Sequence, residues 1–285
     1  VAVNFQFLRR IREKELSQVL PWIPSGSCIL EVGAGAGWQA RQLAAAGYAV
    51  TAIDVDVEGL GYQAQRVWPV IPYDGIHIPC GDRHFDIVFS SNVLEHVPHF
   101  DAFQAEIRRV LRPGGLAIHV VPSGAWRFWT NVTYYADLFN RMLPLWRDTT
   151  ANRYDVSGEG SDSVLEAIPR VPPRISKTSD GSSSRALDVN PGTSGALAGN
   201  LAKVARVAYP RRHGEQGSAL SEIFWFSRWG WDRRFWRTGW EIAACFPNCL
   251  FYTGYFILGP RVDLSMRRVL SSVLGSACLV YVLRA

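Results

Sequence analysis

The sequence predicts an α/β fold: a doubly wound, mostly parallel sheet of seven strands with an antiparallel last strand and a helical and flexible insertion after strand five. Three observations predict it. Short apolar runs alternate with helix-period segments from residue 27 to 122, the pattern of strand–helix–strand units around a parallel sheet. The first apolar run, Ile29-Leu30-Glu31-Val32, stops at a turn with glycine at every second position, Gly33, Gly35 and Gly37. The second ends in an acid, Asp54, 21 positions after Gly33, the separation that lets a carboxylate at the next strand end face the turn.

The elements follow in order. Asn4 to Leu20 reads as an amphipathic helix with Leu8, Ile11, Leu16 and Val19 on one side, ended by Pro21 and Pro24. Ser27 to Val32 is the first strand, and Trp38 to Ala46 is a helix closed by Gly47. Ala49 to Asp54 is the second strand. Residues 101–112 form a helix with Phe103, Ile107, Val110 and Leu111 on one face. Arg112-Pro113-Gly114-Gly115 is a sharp stop, and Leu116 to Val121 is the fifth strand.

The pattern then loosens. Trp126 to Trp146 is crowded with large apolar residues and reads as one or two helices outside the sheet. Residues 148–200 are rich in Ser, Gly, Asp and Pro, too poor in apolar surface to offset the entropy of ordering, and are expected to be a mobile excursion. Residues 201–213 read as a short basic helix. Trp231 to Phe246 reads as the helix leading back into the sheet, Leu250 to Leu258 as the sixth strand and Ala277 to Leu283 as the seventh, antiparallel, with a short helix between Arg261 and Gly275. The expected organisation is therefore a core over 1–122, an aromatic and flexible insertion over 123–217 on the acceptor side, and completion of the same domain over 218–285.

The glycine turn carries the chemistry. Glycine lets the backbone take positive φ and leaves room for a ligand against the main chain, while the next helix aims its unpaired N–H groups at the same place. Asp54 is placed to bond both hydroxyls of a ribose. Two ligand families fit, dinucleotides and S-adenosylmethionine. The dinucleotide fingerprint needs a glycine at position 38, where Trp38 stands. Glu31, two residues before the first glycine, would repel a pyrophosphate but suits a cationic amino-acid end or sulfonium. The residues favour S-adenosylmethionine.

At this point they resemble a family. Glu31-Val32-Gly33-x-Gly35-x-Gly37 with Asp54, then Tyr73-Asp74-Gly75 through Ile78-Pro79, Phe85-Asp86-Ile87-Val88-Phe89, Ser90-Ser91-Asn92-Val93-Leu94-Glu95-His96-Val97 and Arg112-Pro113-Gly114-Gly115 are similar, in order, to the motifs of class I S-adenosylmethionine-dependent methyltransferases, type 11, over residues 27–122. The resemblance implies a Rossmann-like fold and a cofactor set of Glu31, Gly33, Gly35, Gly37, Asp54, Val55, Asp74, Gly75 and Ser91. It implies that Asp74 bonds the adenine amino group, with the Gly75 and Ile76 backbone near the ring. Tyr73 departs from the usual glycine and Ile76 from a common polar residue, which weakens that contact.

His96 stands just past a strand end, where open α/β sheets bind ligands, and its near-neutral titration suits a general base. The other reading is that Glu95 and His96 orient the loop. In some relatives such a Glu-His pair holds a metal with a preceding carboxylate; Asn92 occupies that position here, so no metal is expected.

Composition bounds the rest. The chain has 285 residues, 48% hydrophobic and 19% charged, enough for a sizeable core. A net charge of +5 permits an anionic partner without demanding one, and basicity alone does not make nucleic acid a partner. The five cysteines, 28, 80, 245, 249 and 278, are scattered without zinc-ligand spacing, which fits a reducing cytoplasm. No run of about 18 apolar residues occurs. Five tryptophans between Ser218 and Cys245 interleave with Arg228, Arg233, Arg234 and Arg237; packing with snorkelling arginines is one reading, and stacking on bases or sugars or peripheral membrane contact are others. The sequence therefore predicts methyl transfer from S-adenosylmethionine to a small-molecule, glycan-linked or lipid-linked acceptor. The alternative is a regulatory protein that binds the same cofactor without catalysis.

Overall fold

The computed structural model describes residues 5–55, 66–148, 209–215, 217–254 and 258–285. At its centre is a seven-stranded sheet of order β3-β2-β1-β4-β5-β7-β6. The strands are β1 Cys28–Val32, β2 Ala49–Asp54, β3 Ile71–Pro72, β4 Phe85–Ser91, β5 Leu111–Pro122, β6 Glu241–Pro247 and β7 Cys278–Arg284. β7 runs antiparallel to both neighbours, β5 and β6, and the pairs from β3 to β5 are parallel. β1 sits between β2 and β4, so the chain winds outward one way through β2 and β3 and the other way through β4 and β5. That reversal opens a crevice at the carboxyl ends of β1 and β4, where such sheets take their ligands.

The central strands are buried on both faces because their sequences are apolar on both. Ile29, Leu30, Ile87, Val88, Phe89, Ile118 and Val120 are all essentially inaccessible, as expected of strands covered on two sides. α1 is Phe5–Val19, α2 Trp38–Ala45 and α3 Phe100–Val110. α3 buries Phe103, Ile107 and Val110, one face at helical spacing. The Arg112–Gly115 stop is a four-residue excursion inside β5: Phe85 pairs with Leu111, yet Ile87 pairs with Leu116. Arg112 bonds both Asp86 carboxylate oxygens (2.8 and 2.9 Å), and a Cβ on Gly115 would lie 2.9 Å from the Asp86 carbonyl.

Beyond β5 the aromatic segment is one helix, α4, Gly124–Asp148. α5 is Ser221–Trp225, α6 Arg228–Arg237 and α7 Leu264–Leu274. Two sequence expectations are corrected here. The helix expected over Trp231–Phe246 stops at Arg237, because Gly239 takes a φ of +77° that continues no right-handed helix. The chain then enters β6 at Glu241, so the sixth strand is Glu241–Pro247 and not Leu250–Leu258. Leu250, Phe251 and Tyr252 are buried without strand pairing; their apolar run reports burial and not period. In the expected basic helix over 201–213, residues 209–213 are not helical and 201–208 lie outside the described residues, as do 149–200 of the expected excursion.

The tryptophans divide between core and surface. Trp231 is fully buried and its indole N–H donates to the Pro122 carbonyl (3.0 Å), while Trp240 donates to Gln104 Oε1 (2.8 Å). Arg234 lies over the Trp231 and Trp225 rings. Trp229 and Trp236 remain exposed. Among the described residues no helix is long and apolar enough to cross a membrane.

Candidate active site

The glycine turn leaves β1 with Gly33, Gly35 and Gly37 at φ of +70°, +54° and +80°. It is held by the neighbouring strand. The Gly33 and Ala34 N–H groups donate to the Ile53 carbonyl (2.9 and 3.2 Å), and Asp54 accepts from the Gly35 N–H at one oxygen and its neighbour Val55 N–H at the other, both at 2.7 Å. Asp54 is thus a brace on the turn, a role its spacing did not reveal. The reason for two of the glycines also differs from expectation. A Cβ on Gly33 would run into the Val93 side chain, and one on Gly37 would lie 2.5 Å from Trp68 Cβ and 3.2 Å from its Cα. Protein atoms, and not a ligand, occupy the space those two glycines leave.

Glu31 ends the same strand, 2% exposed, and its Oε2 has no hydrogen-bond partner. Burial pushes its carboxyl up to about 8, against the Ala40 backbone N–H. Val55 and Gly75 meet: a Cβ on Gly75, at φ +83°, would sit 3.2 Å from Val55 Cγ1. Asp74 is engaged locally, accepting from the Ile76 and His77 N–H groups (2.8 and 2.7 Å), with His77 Nδ1 2.8 Å away. Those bonds, the His77 side chain first, bring it down to about 2. Ser91 ends β4 and its Oγ accepts from Arg12 of α1 at 3.4 Å.

Past β4 the chain makes a tight 3₁₀ turn, Leu94–His96. Glu95 points inward, its side chain fully buried, with His96 Nε2 3.8 Å and His213 Nε2 3.9 Å from its Oε1. The two imidazoles pack edge to face, centroids 4.8 Å apart, and Trp126 packs on His213 at 4.7 Å. Burial drives Glu95 up to about 8 and His213 well below its usual value, with His96 and Arg127 adding to the latter. The segment bearing His213 is anchored by Glu222, which accepts from the His213 and Gly214 N–H groups and pairs with buried Arg127 at 2.7 Å. The Glu215 N–H donates to the Glu95 carbonyl (3.0 Å).

His213, Arg127, Glu222 and Arg12 are absent from the sequence-derived set. No local spacing connects His213 to His96, 117 positions earlier. A cavity of about 560 Å³ between the end of β6 and α7, lined by Pro247, Cys249, Arg268 and Val269, shares no residue with either cluster.

Comparison with known proteins accords with this architecture. Residues 30–119 match the type 11 methyltransferase-domain family model. An uncharacterised methyltransferase of Mycobacterium ulcerans is 37% identical over 98 residues, covering 33% of this chain and 38% of the relative; one of Mycobacterium sp. strain JLS is 36% identical over 97 residues, with the same shares. The chain thus aligns with well under half the length of these relatives. A solved chain from the Haloferax volcanii complex of the Trm112 methyltransferase activator and a methyltransferase superposes with a TM-score of 0.51 at 12% identity, covering 98% of this chain and 92% of that one. An S-adenosylmethionine-dependent methyltransferase of Mesorhizobium loti gives 0.48 at 13% identity, covering 95% and 98%. At 12% identity the likeness to the Haloferax volcanii chain is one of fold. Glycine turn, strand order and family match agree: residues 30–119 carry a methyltransferase domain, on the sheet architecture of the class I S-adenosylmethionine-dependent enzymes. The cofactor of this class is S-adenosylmethionine, and the site fits it at one telling point, the orphaned, buried Glu31 oxygen at the strand end beneath the turn.

Proposed function

We propose that the protein is an S-adenosylmethionine-dependent methyltransferase acting on a small-molecule, glycan-linked or lipid-linked acceptor. The observation that supports this best is Glu31, a carboxylate buried at the strand end with an oxygen that none of the described residues satisfies. A cation placed there restores its charged form, and the amino-acid end of the cofactor carries one. In this reading Asp54 braces Gly35 and bonds the ribose hydroxyls. Val55 and Gly75 flank the adenine and Asp74 receives its amino group. Gly33, Gly35 and Gly37 set the turn, and Ser91 lies at the mouth.

When bound, the cofactor supplies a methyl group already activated by its sulfonium. The chain's own residues then need to align the acceptor, exclude water and, for a hydroxyl acceptor, remove a proton. His96 is the group proposed for that proton. Residues 123–217 are assigned to the acceptor side, because β5 delivers the chain to the crevice at Pro122 and α4 begins two residues later. The load of aromatic side chains there suits an acceptor with an apolar part.

Calorimetric titration with S-adenosylmethionine and S-adenosylhomocysteine tests the cofactor, with micromolar binding expected. Incubation of labelled cofactor with metabolite and lipid pools tests transfer. Binding without labelled product in any pool would favour the regulatory alternative; no binding would end the reading altogether.

A further inference from the structure

The sequence predicts no metal because the stretch around Asn92 to His96 lacks a full set of ligands. The fold adds a donor from elsewhere. Among the described residues, Glu95, His96 and His213 offer one ligand atom each, all within 4.8 Å of one another. Glu95 Oε1 is the apex, 3.8 Å from one imidazole nitrogen and 3.9 Å from the other, too far for hydrogen bonds. Neither Glu95 oxygen accepts a hydrogen bond from another of the described residues, although the side chain is fully buried. The Arg12 and Arg234 charges act on Glu95 without outweighing its burial, so its charged form still lacks a directly bonded cation.

We propose that Glu95, His96 and His213 form a site for one divalent transition-metal ion, zinc by donor preference, which holds an acceptor hydroxyl beside the cofactor turn. The proposal rests on the methyltransferase reading for its role but not for its chemistry. Two imidazoles and one carboxylate are the donors of open zinc and other transition-metal sites, whereas magnesium prefers oxygen donors and keeps its waters. Ligand atoms about 2.0–2.2 Å from zinc stand roughly 3.3–3.5 Å apart in a tetrahedral arrangement. The two Glu95–imidazole separations therefore need a contraction of about half an ångström, and the widest pair of donors, within 4.8 Å, one of up to about 1.3 Å, a span that rotation of the two imidazoles has to close.

The scaffold is built for such fixing. Glu222 holds the His213 and Gly214 N–H groups, Arg127 neutralises Glu222, and the Glu215 N–H is tied to the Glu95 carbonyl. Two segments remote in sequence are thereby clamped so that their donor atoms converge, the task of outer-shell partners in metal sites. Position supports the role. The Val93 side chain fills the space over Gly33, and the ligands follow two residues later, so the ion would lie next to the turn on the acceptor side.

Three protein ligands leave the ion at least one open position. Held by Glu95, His96 and His213, the ion would lower the pKa of a hydroxyl bound there, whose proton would pass to solvent water while the electron pair stayed on the oxygen. The acceptor class then narrows to alcohols. The role replaces that of His96 as base, because a ligated Nε2 has no lone pair for a proton.

The test uses the full chain, stripped with a chelator and dialysed, then titrated with Zn(II), Co(II) and Mg(II) with metal content read by mass spectrometry. About one zinc or cobalt per chain is expected, with a visible Co(II) ligand-field spectrum and no Mg(II) uptake. Glu95→Gln and His213→Asn should each weaken zinc binding at least tenfold while circular dichroism stays that of the wild type; if one variant does not fold, the other decides. A folded wild type that takes up no zinc or cobalt, or folded variants that bind them undiminished, overturn the site. Cofactor calorimetry on the same samples separates the two readings. Zinc binding without S-adenosylmethionine binding keeps the metal site and ends the methyltransferase reading. Undiminished methyl transfer by the chelator-stripped protein removes the ion's role.

Discussion

Gly33→Ala tests the geometry of the turn most directly. The added Cβ meets Val93: Cγ2 lies inside contact distance, Cγ1 would be 3.2 Å away and Cβ 3.3 Å. The backbone at φ +70° adds about 1–2 kcal/mol for any residue with a Cβ. Overpacking against a branched side chain adds about 1–3 kcal/mol, so the single variant should lose about 2–5 kcal/mol. Val93→Ala alone removes methyl groups from a half-buried site and should cost about 1 kcal/mol. Together the two should be less damaging than their sum, because the alanine at 93 vacates the space that the new Cβ needs. The backbone share at Gly33 should persist. A double-mutant cycle by urea denaturation measures this directly, with an expected favourable coupling of about 1–3 kcal/mol. S-adenosylmethionine affinity should fall at least tenfold in Gly33→Ala and recover in part in the double variant. Coupling within about 0.5 kcal/mol of zero, the additive limit, would refute the claim that Val93 fills the glycine's place.

Asp54→Ala loses both 2.7 Å bonds to the turn and should weaken S-adenosylmethionine binding by about 2–4 kcal/mol by calorimetry while lowering the melting temperature of the free protein; an unchanged melting temperature would contradict the brace. Glu31 keeps its proton up to about pH 8 when folded, against an ordinary 4.5 when unfolded, so the unfolded chain binds fewer protons in that window and stability falls as pH rises through it. Glu31→Gln should flatten that fall in melting scans from pH 5 to 9, and wild type and variant falling in parallel would show that Glu31 is not the titrating group. Arg127→Ala strands buried Glu222 and should cost about 3–5 kcal/mol in urea denaturation; a loss under about 1 kcal/mol would mean that the pair does not anchor the His213 segment.

What the sequence by itself determined is what local pattern encodes. β1, β2 and the helix faces from α1 to α3 follow from apolar period, glycine and proline, whereas the two-residue β3 and the start of β5 at Leu111 do not; the glycine turn with Asp54 marks the crevice because a strand–helix–strand unit allows one separation between them. The motifs from Glu31 to Gly115 gave the domain class on the same ground. Period alone could not separate the buried run Leu250–Tyr252 from a strand, since a loop pressed into the core is as apolar as a strand that pairs. Nor could it see that Gly239 ends α6 early and hands β6 to Glu241–Pro247. Tertiary structure alone decided which atoms fill the glycines' empty space, Val93 and Trp68, because both come from other segments. It alone decided that Asp54 braces Gly35, and that His213 joins Glu95 and His96. A contact between residues 117 positions apart leaves no trace in either neighbourhood; Glu222 and Arg127 fix the His213 segment, and the Glu215 N–H on the Glu95 carbonyl ties that segment to the other.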